Sequence, residues 1–209
     1  MRLHLGPIPE DATFHPEQGP WRRLREPSLG VLMLIASLVG VLVVFAMVRA
    51  WGALARLHET TEIALVTLSP VTLLLSLGAL GALIAVHEIL HALALPGLGR
   101  TPATIVGFWP EKITPYVTYE GELSRHRFIG VGLTPFVALS AMPLLMGVIV
   151  WMPAWVIILS TINGFASSAD LINAVLLLVQ TPRSAIVRNK GLETWWRSPT
   201  ARGTRDRGL

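Results

Sequence analysis

The sequence contains no cysteine. Disulfides, thiolate metal sites and a cysteine nucleophile are therefore excluded, and any metal must be held by histidine and carboxylate. Charge is scarce as well: Asp, Glu, Lys and Arg make up 14% of the chain, against 52% hydrophobic residues. With a mean hydropathy of +0.58, that balance is too apolar for an ordinary soluble domain and points to a polytopic membrane protein. Acids are the rarer charge, 13 against 17 Lys and Arg. The basic excess does not point to nucleic acid, because it is spread over loops and tails with no basic and aromatic surface module. No internal repeat and no low-complexity tract is present. A cleaved signal peptide is not expected, since residues 1–27 are polar and long and no small-residue cleavage site follows the first apolar run.

The sequence does hold four apolar runs, at 29–48, 70–95, 128–150 and 154–179, each long enough to span a bilayer. They predict an all-α membrane protein with four transmembrane helices. Between the second and third runs, residues 104–109 and 113–119 are rich in β-branched and aromatic side chains. They read as a short β-hairpin-like cytoplasmic or interfacial segment, with Pro115 confining the second strand to an edge. The expected organisation is a cytoplasmic N-terminal segment (1–27), a four-span membrane domain (28–180) and a basic cytoplasmic tail (181–209). Within that tail, 194–197 should lie at the membrane interface and 201–209 should be disordered. Lys and Arg crowd the N-terminal segment, the central loop and the tail, and only Arg49 and Arg56 fall on the other side. Both termini are thus expected in the cytoplasm of a multi-pass cell-membrane protein.

The second run carries His87-Glu88-Ile89-Leu90-His91. Residues four apart on a helix share a face, so two imidazoles can hold one Zn²⁺ per chain, with Glu88 beside them as general base. Three ionisable groups at one depth in hydrocarbon are costly unless paired, hydrated or metal-bound, which favours a functional role over a polar contact between helices. Catalytic zinc usually keeps three protein ligands. Asp170 is the only other acid in a span, and its distance from the end of the fourth run matches that of His87 in the second, both roughly 12–14 Å deep. Small residues near each, among them Gly78 and Gly81 in one run and Ala166 and Ser167 in the other, are expected to let the two helices approach closely. Asn163 and Ser167 fall near the Asp170 face and are candidates to bind the carboxylate or a substrate carbonyl.

Taken together, several segments resemble the small membrane proteins classed as putative zincin peptidases, relatives of site-2 proteases. They are His87-Glu88-Ile89-Leu90-His91-Ala92-Leu93, the Pro115-Tyr116 loop, Ser124-Arg125-His126-Arg127-Phe128 leading to Thr134-Pro135, and Ser168-Ala169-Asp170-Leu171-Ile172. The resemblance covers about residues 70–196. It implies an intramembrane zinc endopeptidase with His87, His91 and Asp170 as ligands and Glu88 as catalytic acid and base. Tyr116 joins Asn163 and Ser167 as a candidate substrate or supporting residue. Ala169-Asp170-Leu171 departs from the Leu-Asp-Gly of site-2 proteases, and no proline intervenes between Asn163 and Asp170. The expected partners are a membrane-protein or peptide substrate and the lipid bilayer, with the 113–119 strand holding the substrate extended. Rival readings of the same cluster are a non-proteolytic metal-binding or ion-translocating protein and an inactive scaffold. A transporter would ordinarily show internal symmetry, which is absent.

Overall fold

A computed structural model of the chain describes residues 1–60 and 69–199. In chain order its elements are β1 (Arg2–Leu5), β2 (Arg22–Arg23), α1 (Leu29–Leu57), α2 (Pro70–Ala94), β3 (Thr104–Trp109), β4 (Thr114–Tyr119) and β5 (Leu123–Ser124). There follow α3 (Arg125–Phe136), α4 (Met142–Met146), α5 (Ala154–Ala166), α6 (Ser168–Gln180), β6 (Ile186–Lys190) and β7 (Glu193–Arg197). A π-helical turn at Val137–Ala141 joins α3 and α4 into one helix over Arg125–Met146. That helix, α1 and α2 are each long and apolar enough to cross a membrane; α5 and α6 form a pair bent by 46° that makes a fourth crossing only if counted as one span. Outward residues of α2 such as Leu73, Leu74 and Leu75 are 57–70% exposed, as expected of a helix long and apolar enough to cross a membrane.

Local sequence explains where α2 begins and ends. Pro70 occupies the first turn, and the Ser69 hydroxyl accepts the Thr72 N–H at 3.1 Å, which satisfies one of the unpaired amides there. At the other end the chain turns back through Gly99 (φ +73°), where a Cβ would lie 2.6 Å from the Ala92 carbonyl oxygen. Arg127 Nε then donates to Ala94 O at 2.9 Å, closing a carbonyl that the helix leaves open. The close contact between membrane helices is not the expected one. A Cβ on Gly78 or Gly81 would meet nothing within 4 Å, whereas one on Gly40 would stand 2.6 Å from the Phe165 ring and one on Gly164 3.1 Å from Val43. The small residues that matter therefore join α1 to α5.

The fold is mostly helical but carries two sheets, which corrects the expectation of an all-α protein with one hairpin. The first sheet has the order β1-β3-β4, with β1 parallel to β3 and the β3–β4 hairpin antiparallel. The hairpin and the edge position of Pro115 are as expected. The second sheet, β2-β7-β6-β5, is antiparallel throughout and takes two strands from the segment read as a basic cytoplasmic tail. Its signal was present in Ile186-Val187 and Thr194-Trp195-Trp196 on either side of Gly191 (φ +57°). Aromatic and β-branched residues suit a strand as well as a headgroup layer, and composition alone does not separate the two. Trp195 is buried. Leu24, Leu177 and Val187 form a core against Phe128, Ile129 and Trp196, so the β2 segment and the β6–β7 hairpin are fastened to α3 and α6. Glu62 and 201–209 lie outside the described residues.

Candidate metal centre

His87 and His91 stand on successive turns of α2, and their Nε2 atoms are 3.2 Å apart. Asp170 Oδ2, in the first turn of α6, lies 3.5 Å from His87 Nε2 and 3.6 Å from His91 Nε2. A tetrahedral zinc with bonds of about 2.0–2.1 Å separates its ligand atoms by roughly 3.3 Å. The three atoms thus form a triangle of the right size, and among the described residues they are the group that could hold a metal ion.

The hydrogen bonds on the far side of each imidazole define what faces that triangle. His87 Nδ1 is 2.9 Å from Asn163 Oδ1, and His91 Nδ1 is 2.9 Å from Val131 O. Both oxygens only accept, so both Nδ1 atoms carry a proton, and in the neutral rings both Nε2 lone pairs face the Asp170 carboxylate. Three electron-rich atoms converging without a donor between them call for a cation. This donor set fits zinc.

The supporting groups are explained by residues in α3 and the π turn. Pro135 has no N–H, which frees the carbonyl four residues before it, Val131 O, for His91. In the π turn the Met142 N–H reaches back five residues to Val137 O, a shift that leaves carbonyls over for other donors. Asn163 is fully buried. Its Nδ2 donates to Pro135 O at 3.1 Å and Ser140 Oγ at 2.9 Å, and this orients the amide so that Oδ1 meets His87. Ser167 Oγ lies 3.4 Å from Asn163 Nδ2, behind Asn163. Asn163 and Ser167 are therefore brought to the cluster as supports of His87 and not of Asp170.

Glu88, one residue on from His87, turns toward β4 and sits beside the Val117 backbone, within electrostatic reach of all three cluster residues. A cavity of about 210 Å³ opens from the cluster between α2, α3, α6, β4 and β6; His91 and Asp170 form its inner wall and Val117, Thr118 and Tyr119 one side. Tyr116 does not line it. Its hydroxyl points to the carbonyls of Gly6 and Pro7 at 3.2 and 3.3 Å, which ties β4 to the N-terminal strand. Sequence reasoning missed Val131, Pro135 and Ser140. Of these, Pro135 carried a readable signal, since a proline inside a span always releases a carbonyl.

The model of the family described as "Putative zincin peptidase" matches residues 80–186. Neither a curated protein nor a solved structure matches the chain.

Proposed function

Because the chain belongs to the putative zincin peptidase family, we propose that it is an intramembrane zinc endopeptidase. His87, His91 and Asp170 would hold the metal and Glu88 would transfer protons. The observation that carries this reading is the convergence of two Nε2 lone pairs and a carboxylate, with a second acid beside them at an open strand edge. Bound there, zinc would polarise a peptide carbonyl and bring the pKa of water toward about 7. Asn163 and Val131 O hold the two rings in register. Glu88 takes a proton from the attacking water and returns it to the leaving amine, so that hydrolysis consumes one water and releases a carboxylate and an amine.

A peptide must be extended to reach the cluster, and β4 supports that requirement. The Glu120 N–H bonds Ala103 O at 2.9 Å, and with the Ile105↔Thr118 and Gly107↔Tyr116 pairing this turns the even-numbered peptide groups of β4 toward β3. The peptide groups of Val117 and Tyr119 therefore face the free edge, where a substrate strand can add.

Four crossings are supported by strand pairing. β1 pairs with β3 across α1 and α2, and β5 pairs with β6 across the remaining helices. Each interval therefore leaves and returns to one face, and the excess of Lys and Arg assigns that face to the cytoplasm. The bent α5–α6 pair is then the fourth span.

Glu88→Gln tests the proposal. It should keep about one zinc per chain and lose cleavage of membrane substrates by at least ~100-fold. Unimpaired cleavage by this variant would remove Glu88 from the mechanism. Metal transport without proteolysis in the wild type would favour the ion-translocating reading.

A further inference from the structure

We propose that the cavity beside the cluster is a subsite for a bulky apolar side chain of an extended peptide, and that the Asn189 carboxamide binds that peptide's main chain. The inference rests on the endopeptidase reading and adds the substrate class. Asn189 is in β6, beyond the 80–186 segment matched by the family model, so it is a feature of the terminal hairpin and not of the matched core.

Three observations meet at this residue. Its Oδ1 is buried with no hydrogen-bond partner, an arrangement folded proteins seldom keep without a use. Its side chain lines the same cavity as His91 and Asp170, so a rotation of the amide presents donor and acceptor to an occupant. Its backbone is open as well. The Arg125 N–H to Ala185 O bond (2.8 Å) and the Leu123↔Val187 pairing turn the odd-numbered peptide groups of β6 toward β5. β5 ends before it reaches Asn189, so among the described residues no strand covers that edge. Val117 and Tyr119 present their own open edge on the β4 side of the same cavity. An extended segment lying there meets, on both sides, main-chain groups that no strand covers among the described residues, Tyr119 on one and Asn189 on the other, while Glu88 sits at the Val117 amide.

The remaining wall fixes the chemical class. Leu95, Leu123, Phe128, Ile129 and Leu177 line it, with Asn173 beside them. About 210 Å³ is below the roughly 300 Å³ at which drug-sized pockets begin. It suits one large side chain. No Lys or Arg among the described residues lines it and the Asp170 carboxylate stands in its inner wall, so an acidic residue is not its occupant.

The test compares two fluorescein-labelled peptidyl hydroxamates, one with leucine and one with glycine beside the hydroxamate, by anisotropy on the zinc-loaded full chain in micelles. The metal-binding group is common to both, so the ratio of affinities reads the cavity alone. The leucine compound should bind about tenfold or more tighter, as expected for burying one leucine side chain. Ala174→Phe, which fills the cavity, should bring the ratio near one. Phe128→Ala, which enlarges it, should shift preference toward a phenylalanine hydroxamate, and it decides the matter if Ala174→Phe does not fold. Asn189→Ala should weaken both compounds roughly three- to tenfold, the effect of one lost hydrogen bond, with zinc content unchanged. Equal affinities for the two hydroxamates, absence of binding, or an Asn189→Ala chain that binds like the wild type overturns the inference. Cleavage is not needed for any arm. If the ratio behaves as expected and no substrate is ever hydrolysed, the subsite stands and the endopeptidase reading falls.

Discussion

At the scale of single residues, Pro135 has the least obvious role and the sharpest consequence. It interrupts a helix and thereby supplies the carbonyl that holds His91. Pro135→Ala returns an N–H to compete for Val131 O. The variant should gain helix stability, since an interior proline costs about 3 kcal/mol. Its zinc affinity should nevertheless fall roughly ten- to a hundredfold, as for other residues that orient a ligand. Thermal melts of the metal-free chain and a chelator competition titration read the two effects separately. If both rise or both fall together, Val131 O is not the group that sets His91. The proline is visible in the sequence. What it releases, and to which side chain, depends on α2 lying alongside α3.

At the scale of elements, β4 and the terminal hairpin make separate predictions. Tyr119→Pro removes an N–H that faces the free edge, spares the contact between Glu88 and the Val117 backbone, and removes none of the bonds to β3, so the hairpin should persist. Cleavage should drop about tenfold, mainly through KM, the size of one lost main-chain hydrogen bond. Unchanged kinetics would show that substrate does not add at this edge. In the terminal sheet, Glu26 accepts from Thr194 through its side-chain hydroxyl (2.7 Å) and its backbone N–H (3.3 Å). Burial holds the Glu26 carboxyl above its ordinary range, against the opposing pull of those bonds. A raised carboxyl favours the folded state while protonated, so its stabilising contribution is complete below the unfolded value near 4.5 and is lost as pH rises through the folded one. Glu26→Gln cannot ionise and keeps one acceptor. Its stability relative to the wild type should therefore improve between pH 4 and pH 7, and a pH-independent difference in denaturation would contradict this. The β3–β4 hairpin was legible because its two halves flank a Pro-Glu-Lys turn. The four-stranded sheet was not, because its outer strand β2 is two residues long and its partner strands are separated from it by the whole membrane domain.

At the scale of the whole molecule, the metal is a clasp between distant parts. His87 and His91 belong to α2, Asp170 to α6, and the two supporting groups to α3 and α5. An ion bound only by the folded chain stabilises it by about 2.7 kcal/mol when present at a hundredfold excess over its Kd. Stripping zinc with 1,10-phenanthroline should lower Tm, and re-addition of zinc should restore it. His87→Ala should have a lower Tm in zinc and show no response to the chelator. A chelator effect of equal size in that variant would place the stabilising metal elsewhere.

The sequence by itself marked the apolar character of the chain, the positions of three long apolar helices, the two histidines four residues apart, and Asp170 as the acid that meets them. All of these follow from periodicity, hydropathy and depth, which are properties of short stretches. Only the tertiary structure decided that Asn163 serves His87, that Pro135 serves His91 through Val131 O, and that Tyr116 is tied to the N-terminal strand. It also revealed that β2 and the β6–β7 hairpin, from opposite sides of the helices in sequence, pair in a sheet over α3 and α6. Each of these is a contact between residues far apart in the chain, and no local pattern specifies which neighbour a freed carbonyl, a buried amide or a strand edge will meet. The hydrogen bonds that aim the imidazoles exist only once α2, α3 and α5 have packed.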